Sequence, residues 1–321
     1  KSILVELYNL FINPVEKLIS NKNKIRFMVD GILHRFPLEL VVDNNSNHLV
    51  ESFDISYISS MSFSHKRGIK ITNEEKNLNI LAIGDPSYIN HSNVKSKYIN
   101  DDNVFDILRS NIKNNKNISE ELAYLNYYSW DSLPGGLKEL NDISKFFKNV
   151  KKLNGVNATE LSVKLLTQLN KYDIVHFATH SIIVDDVPEA SSLVLTPSLK
   201  HKEDGYLNIK EITKLNLGGA FVNLASCESG RGKIFPVQGV NNMAQAFEYA
   251  GAESILISLL AIDDAATSIF MSKFYKNVSQ GLSYIDALHV VKREFILGLH
   301  GDQYKKPYYW APFIYYDSYS F

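Results

Sequence analysis

Ala220-Phe-Val-Asn-Leu-Ala-Ser-Cys-Glu-Ser-Gly230 decides the reading of this chain: an apolar run ends on the only cysteine in 321 residues and breaks at once into polar and glycine residues. A short apolar run bounded by turn-forming residues predicts a buried strand that delivers Cys227 to a loop. Tyr172-Asp-Ile-Val-His-Phe-Ala-Thr-His180 upstream has the same form and ends on a histidine. Downstream, Val237 to Ala250 reads as a helix stopped by Gly251, and Glu253-Ser-Ile-Leu-Ile-Ser-Leu-Leu-Ala-Ile-Asp-Asp264 is a third run, ending on two carboxylates. In an open parallel sheet the ligand crevice lies outside the carboxyl ends of the strands, so Cys227, His180, Asp263 and Asp264 are expected to converge there.

The rest of the chain supports an α/β body. Asn77-Leu-Asn-Ile-Leu-Ala-Ile-Gly-Asp85-Pro86 predicts a buried strand, and Leu133 to Phe147 a helix with Leu137, Leu140, Ile143 and Phe147 on one face. A short strand near 150–153, a helix at 159–169, the histidine strand, a hairpin-like insertion at 193–207, a helix at 209–215 and the cysteine strand follow in order. That alternation specifies right-handed crossovers and a mostly parallel sheet flanked by helices. Helices near 264–278 and 284–297 and an aromatic strand at 308–316 close the chain. Before this body, residues 1–76 read as a small α+β subdomain: helical spacing over 3–20 interrupted by Pro14, a strand at 24–29, and Asp30-Gly31 as a hairpin turn into 32–42. The expected organisation is thus an N-terminal subdomain at 1–76 and a main domain at 77–321. Residues 88–132 form a long polar loop within it, with one helix around 119–126.

Composition bounds the function. A net charge of −1 provides no global field toward nucleic acid or an anionic membrane, so neither is expected as a direct partner. No apolar run approaches the ~20 residues needed to span a bilayer, and no signal-peptide pattern opens the chain. A single cysteine excludes an internal disulfide framework and fits a reducing, cytoplasmic setting. No dinucleotide fingerprint or P-loop follows any strand, and no cofactor is expected. His176-Phe-Ala-Thr-His180 has a zinc-like spacing, but it lacks the Glu of the helical zinc-peptidase motif and sits in a strand pattern, so no metal is assigned and His176 is read as structural.

A cysteine nucleophile needs a thiolate, a base within reach and donors for the oxyanion. Cys227 and His180 meet the first two requirements by residue type, and the turn after Cys227 offers backbone N–H groups. The same residues also fit a half-buried structural cysteine and a core histidine, and pattern alone leaves both open. Asp263 and Asp264 suit a pocket for a basic side chain, and equally an N-cap for the helix that follows. Asp85 suits either a cleft wall or a turn beside Pro86.

Taken together, His176-Phe-Ala-Thr-His180, Leu224-Ala-Ser-Cys-Glu-Ser-Gly230, Ala246-Phe-Glu-Tyr-Ala-Gly-Ala252 with Ser258-Leu-Leu-Ala-Ile-Asp-Asp264, and Trp310-Ala-Pro-Phe313 resemble the CHAT family of caspase-like cysteine proteases, in the caspase and separase clan. Asp30-Gly-Ile-Leu-His-Arg-Phe-Pro37, Ile83-Gly-Asp-Pro86 and Leu133-Pro-Gly135 resemble its amino-terminal motifs in the same order. His180 and Cys227 stand 47 positions apart, close to the ~50-residue separation of caspase-type proteases. The resemblance implies a caspase-like fold and endopeptidase chemistry, with Cys227 as nucleophile, His180 as proton carrier and the backbone N–H groups of Cys227 and Ser181 as oxyanion donors. Where the family usually has glycine this chain has Ser181. The resemblance also implies basic specificity through Asp263, Asp264 and Asp85, a protein substrate, and a role as a regulated effector in bacterial defence or cell death. Its implied partner is a helical-repeat (TPR-type) region or an upstream sensor, with 88–132 and 229–238 as the stretches that reorder on activation. A caspase-like scaffold that does not cleave is the alternative.

Overall fold

In a computed structural model, which describes residues 2–58, 77–88, 110, 130–184, 187–198, 201, 203–225, 237–260 and 262–317, eight strands form one sheet in the order β1-β2-β11-β10-β9-β5-β3-β4. These are β1 (Lys24–Met28), β2 (Asp54–Ile58), β3 (Asn79–Pro86), β4 (Asn149–Gly155), β5 (Ile174–Ala178), β9 (Phe221–Leu224), β10 (Ser254–Ser258) and β11 (Phe313–Asp317). The five strands from β4 to β10 are mutually parallel, β11 is antiparallel to β10, and β2 and β1 follow the direction of β11. A second, three-stranded antiparallel sheet joins β6 (Ser181–Ile182), β7 (Ser192–Val194) and β8 (Tyr206–Asn208), the last two being the hairpin-like insertion.

Alternation along each central strand divides the core into two layers. Leu81, Ile83, Val175, Phe177, Val222, Leu224, Ile255 and Ile257 face one layer, covered by α5 (Glu160–Leu169), α6 (Ile209–Ile212) and α7 (Val237–Tyr249). Ile80, Ala82, Ile174, Ala178, Phe221, Ala225 and Leu256 face the other, covered by α4 (Pro134–Phe146), α8 (Asp264–Ser279) and α9 (Tyr284–Ile296). Strands buried on both faces read as continuous apolar runs, which is why these three runs were legible as strands. Helix α1 (Ser2–Phe11) and two short helices, α2 (Glu16–Ile19) and α3 (Leu49–Ser52), belong to the N-terminal part, whose β1 and β2 continue the main sheet.

The Asp30-Gly31 hairpin expectation fails. β1 pairs with β2 in parallel, and the residues after Asp30 form 3-10 turns at Gly31–Arg35 and Leu38–Leu40 instead of a strand. The Asp30 carboxylate accepts from the Gly31 N–H and starts the first turn, with Gly31 at φ 56°. Pro37 then removes a ladder donor, and the Leu38 N–H donates to the Tyr57 hydroxyl on β2. The aromatic strand is shorter than its pattern, because Pro307–Tyr309 is a 3-10 turn opened by its proline. The helix expected at 119–126 and the stretch 229–236 lie outside the described residues, as does most of 88–132.

Candidate active site

His180 stands two residues beyond the carboxyl end of β5, where sheet geometry puts the crevice. It is 3% exposed. Tyr88 and Trp130 both pack against its ring, each with its ring centroid 5.1 Å away. Trp130 is fixed in turn by its Nε1–H, which donates to the Tyr206 hydroxyl of β8 at 3.3 Å. Nε2 of His180 lies 2.8 Å from the carbonyl oxygen of Asp131. A carbonyl only accepts, so Nε2 carries the proton, and in the neutral ring Nδ1 holds the lone pair. The imidazole is thereby fixed in the tautomer that takes a proton at Nδ1.

Ser181 follows at the start of β6 and is buried. The Val194 N–H donates to the His180 carbonyl at 2.8 Å, so His180 and Val194 stand opposite each other at a hydrogen-bonded position, while the His180 N–H donates to the Tyr88 hydroxyl at 3.4 Å. By alternation, Ser181 and Leu193 form the non-hydrogen-bonded pair, so the Ser181 N–H points away from β7. Cys227 lies outside the described residues. The strand that leads to it, β9, is paired in parallel with β5, Ile174 opposite Phe221 and Phe177 opposite Leu224. That register is an offset of 47 positions, the same as the separation of His180 and Cys227.

The three carboxylates have distinct surroundings. Asp263 is exposed, and its Oδ1 accepts from the Ala266 N–H at 3.0 Å as the N-cap of α8. Asp264 is half-buried and turned to the amino end of α4, where Oδ2 accepts from the Gly135 N–H. Burial raises its carboxyl above the ordinary range, against the pull of the Gly135 N–H. Asp85, left-handed at φ 44°, accepts from the Leu133 N–H at 2.9 Å. Two acidic side chains thus satisfy donors at the start of one helix, the end where the macrodipole favours anions. The Pro134-Gly-Gly136 motif serves this packing: a Cβ at Gly135 would meet the Asp264 carboxylate at 2.5 Å, and one at Gly136 the Ala178 carbonyl of β5 at 2.9 Å.

The CHAT domain family profile matches residues 1–318. The chain belongs to the CHAT family. Tetratricopeptide repeat protein 28 of Homo sapiens is 23% identical over 332 residues, covering 90% of this chain but 12% of that protein; the Mus musculus protein is 24% identical over 196 residues, covering 50% and 8%. This CHAT domain therefore spans about an eighth of the human relative. Among solved structures it is similar to the Arg-specific cysteine proteinase gingipain R (RgpB), with a TM-score of 0.54 and 10% identity over 96% of this chain and 67% of that one. The complex of the Porphyromonas gingivalis RgpB pro- and mature domains gives 0.50 and 9%, over 98% and 67%. The shared feature is the fold, a caspase-like, mostly parallel sheet between helices. No described helix of this CHAT domain is long and apolar enough to cross a membrane.

Sequence reasoning did not reach the surroundings of His180. Asp131 acts through a carbonyl that its side chain does not advertise. Trp130 had a signal, as one of two tryptophans in the CHAT domain, standing in polar sequence three residues before Leu133. His176, read as structural, is fully buried, with Nδ1 3.1 Å from the Tyr275 hydroxyl and Nε2 3.1 Å from Glu139 Oε2. Glu139 interrupts the apolar face of α4, and burial raises its carboxyl while His176 opposes that shift.

Oxygens of Glu160, Glu203 and Glu211 lie within 4.8 Å of one another, a spacing that suits a cation. The cation there is Lys164, whose Nζ is 3.2, 2.8 and 2.8 Å from the three carboxylates. Burial, then Asp204 and Glu211, push the Glu160 carboxyl from the ordinary 4.5 up to about 8. A raised carboxylate favours the fold while the unfolded group is still protonated, and that contribution is lost as pH rises from 4.5 to about 8. Glu160→Gln keeps an acceptor for the Gly205 N–H. Its stability relative to the wild type is expected to grow across that window, read from denaturant unfolding at pH 5 and pH 8.

Proposed function

We propose that this CHAT domain is a cysteine endopeptidase in which Cys227 attacks the scissile carbonyl and His180 carries the proton. The observation that carries this reading is the β5–β9 register: two adjacent parallel strands, offset by the separation of His180 and Cys227, lead to the same edge of the sheet. Nδ1 of His180 takes the thiol proton, and the resulting imidazolium is supported by its Nε2–H bond to Asp131. The thiolate forms a tetrahedral adduct whose oxyanion is received by the N–H groups of Ser181 and Cys227. Collapse of the adduct expels the amine, which takes the proton from Nδ1. Water then hydrolyses the thioester.

Specificity for a basic residue at the cleaved position belongs, in this reading, to Asp263. It is the exposed member of the pair, whereas Asp264 and Asp85 are engaged with the start of α4. The substrate is a partner protein. The repeat-protein relatives support a setting in which helical repeats accompany the CHAT domain, and Ile3, Leu10 and Leu18 offer exposed apolar side chains in α1 and α2 for such contact. In this setting the enzyme is a regulated effector, in defence or cell-death signalling.

The test is intact mass after incubation with peptidyl acyloxymethyl ketones bearing Arg, Lys, Asp or Leu at the reacting position. One adduct is expected, fastest with Arg or Lys and absent in Cys227→Ala, and Asp263→Asn is expected to erase the basic preference while labelling persists. No adduct from any probe on the folded chain would favour the non-cleaving scaffold.

A further inference from the structure

We infer that the buried chain Asn223–Tyr275–His176–Glu139 is a positioning device for the thiol–imidazole pair, in which the Tyr275 hydroxyl ties the strand carrying His180 to the strand leading to Cys227. The inference rests on the peptidase reading. His176 and Asn223 are direct register partners on β5 and β9, each four positions before the proposed catalytic residue of its own strand. Both face the layer of α4 and α8, flanked by the small Ala82, Ala178 and Ala225. Tyr275 of α8 meets both: Asn223 Nδ2 donates to its hydroxyl at 3.0 Å, and that hydroxyl lies 3.1 Å from His176 Nδ1. Glu139 closes the chain 3.1 Å from His176 Nε2. None of the four is more than 2% exposed.

The donors and acceptors run one way. The Tyr275 oxygen accepts from Asn223 Nδ2 and its O–H donates to His176 Nδ1, which puts the His176 proton on Nε2; Nε2 and Glu139 Oε2 then face each other as a close polar contact at 3.1 Å that falls outside hydrogen-bond geometry. Apolar side chains would fill this site without the desolvation cost of four polar groups, so what the chain adds is directional: it fixes one relative height of the two strands. Helix α4 holds β5 at two points, Glu139 on His176 and, through the residues just before the helix, Asp131 on His180. A slip of β9 against β5 would carry directly into the sulfur–imidazole distance.

Tyr275→Phe keeps the ring and removes the bridge. Two readouts apply. The maximal inactivation rate by the Arg acyloxymethyl ketone is expected to fall about tenfold at unchanged half-saturating probe, part of the ~10²-fold that a 1 Å misplacement costs. The pH profile of iodoacetamide alkylation of Cys227, the only cysteine, is expected to lose its low-pH limb. Glu139→Gln, which keeps a polar oxygen beside His176 Nε2, should retain most of the rate, and Glu139→Leu should not. Should Tyr275→Phe lose its circular dichroism signature, Asn223→Leu cuts the same bridge and is read in the same way. A folded bridge variant with the wild-type rate and pH profile overturns the inference alone. A wild type that takes no probe and whose thiol titrates as an isolated group overturns the peptidase reading and the inference with it.

Discussion

His180→Ala is expected to lower kcat/KM for a peptide with Arg at the cleaved position by about 10²–10⁴-fold, nearly all of it in kcat. The direction follows from how the ring is held. Tyr88 and Trp130 pack against it, and Nε2 is committed to the Asp131 carbonyl, so the ring is oriented with its lone pair on Nδ1. Removing the ring takes away both the base for the thiol and the acid for the leaving amine, whereas the binding groups proposed for substrate, Asp263 and the Ser181 N–H, remain. KM is therefore expected to move little. His180→Asn restores a polar side chain that can neither take nor give a proton, and is expected to fall in the same range. Steady-state kinetics of both variants, with circular dichroism to show that they are folded, decide the matter; a loss confined to KM would show that His180 binds substrate and moves no proton.

The three runs that lead to His180, Cys227 and Asp264 were legible because a strand covered on both faces is apolar at nearly every position, with His176 and Asn223 as interior polar exceptions, a pattern that a surface helix or loop does not produce. The N-terminal part was less legible for a local reason. Asp-Gly favours any turn that needs a left-handed glycine, and here the Asp30 carboxylate and Pro37 direct the chain into 3-10 turns where a hairpin was expected. Residue types pointed to the site, but their partners come from far away in sequence. Asp264 meets Gly135, 129 positions away, and His176 meets Tyr275, 99 positions away. Only the folded chain shows that Asp264 closes a helix start, and that an acidic pair at a strand end divides into one capping residue at the surface and one anchor for α4.

The largest stability effect is expected far from the site. Lys292→Ala should destabilise the fold by about 3–5 kcal/mol, because it strands a buried charge whose ion-pair partner among the described residues is Lys292. Lys292 on α9 and Glu39 are both fully buried and 2.8 Å apart. Glu39 also accepts from the Tyr57 hydroxyl of β2 at 2.5 Å, and that hydroxyl accepts from the Leu38 N–H. Burial lowers the lysine while Glu39 opposes that shift, and the same burial raises the tyrosine. One turn earlier, His289 is kept neutral by burial: its Nδ1–H donates to the Ile285 carbonyl, and Nε2 accepts from the Ile55 N–H at 2.7 Å. This polar seam joins α9 to β2, one strand in from the edge of the sheet, so removing one member costs far more than exchanging a whole pair. The double variant Lys292→Met with Glu39→Leu is accordingly expected to recover most of the loss, leaving only the Tyr57 hydroxyl short of an acceptor. Denaturant midpoints for the single and double variants test this, and labelling of Cys227 in the surviving folded fraction should proceed at the wild-type rate. A single variant as stable as the double would mean that water reaches Glu39 once the lysine is gone.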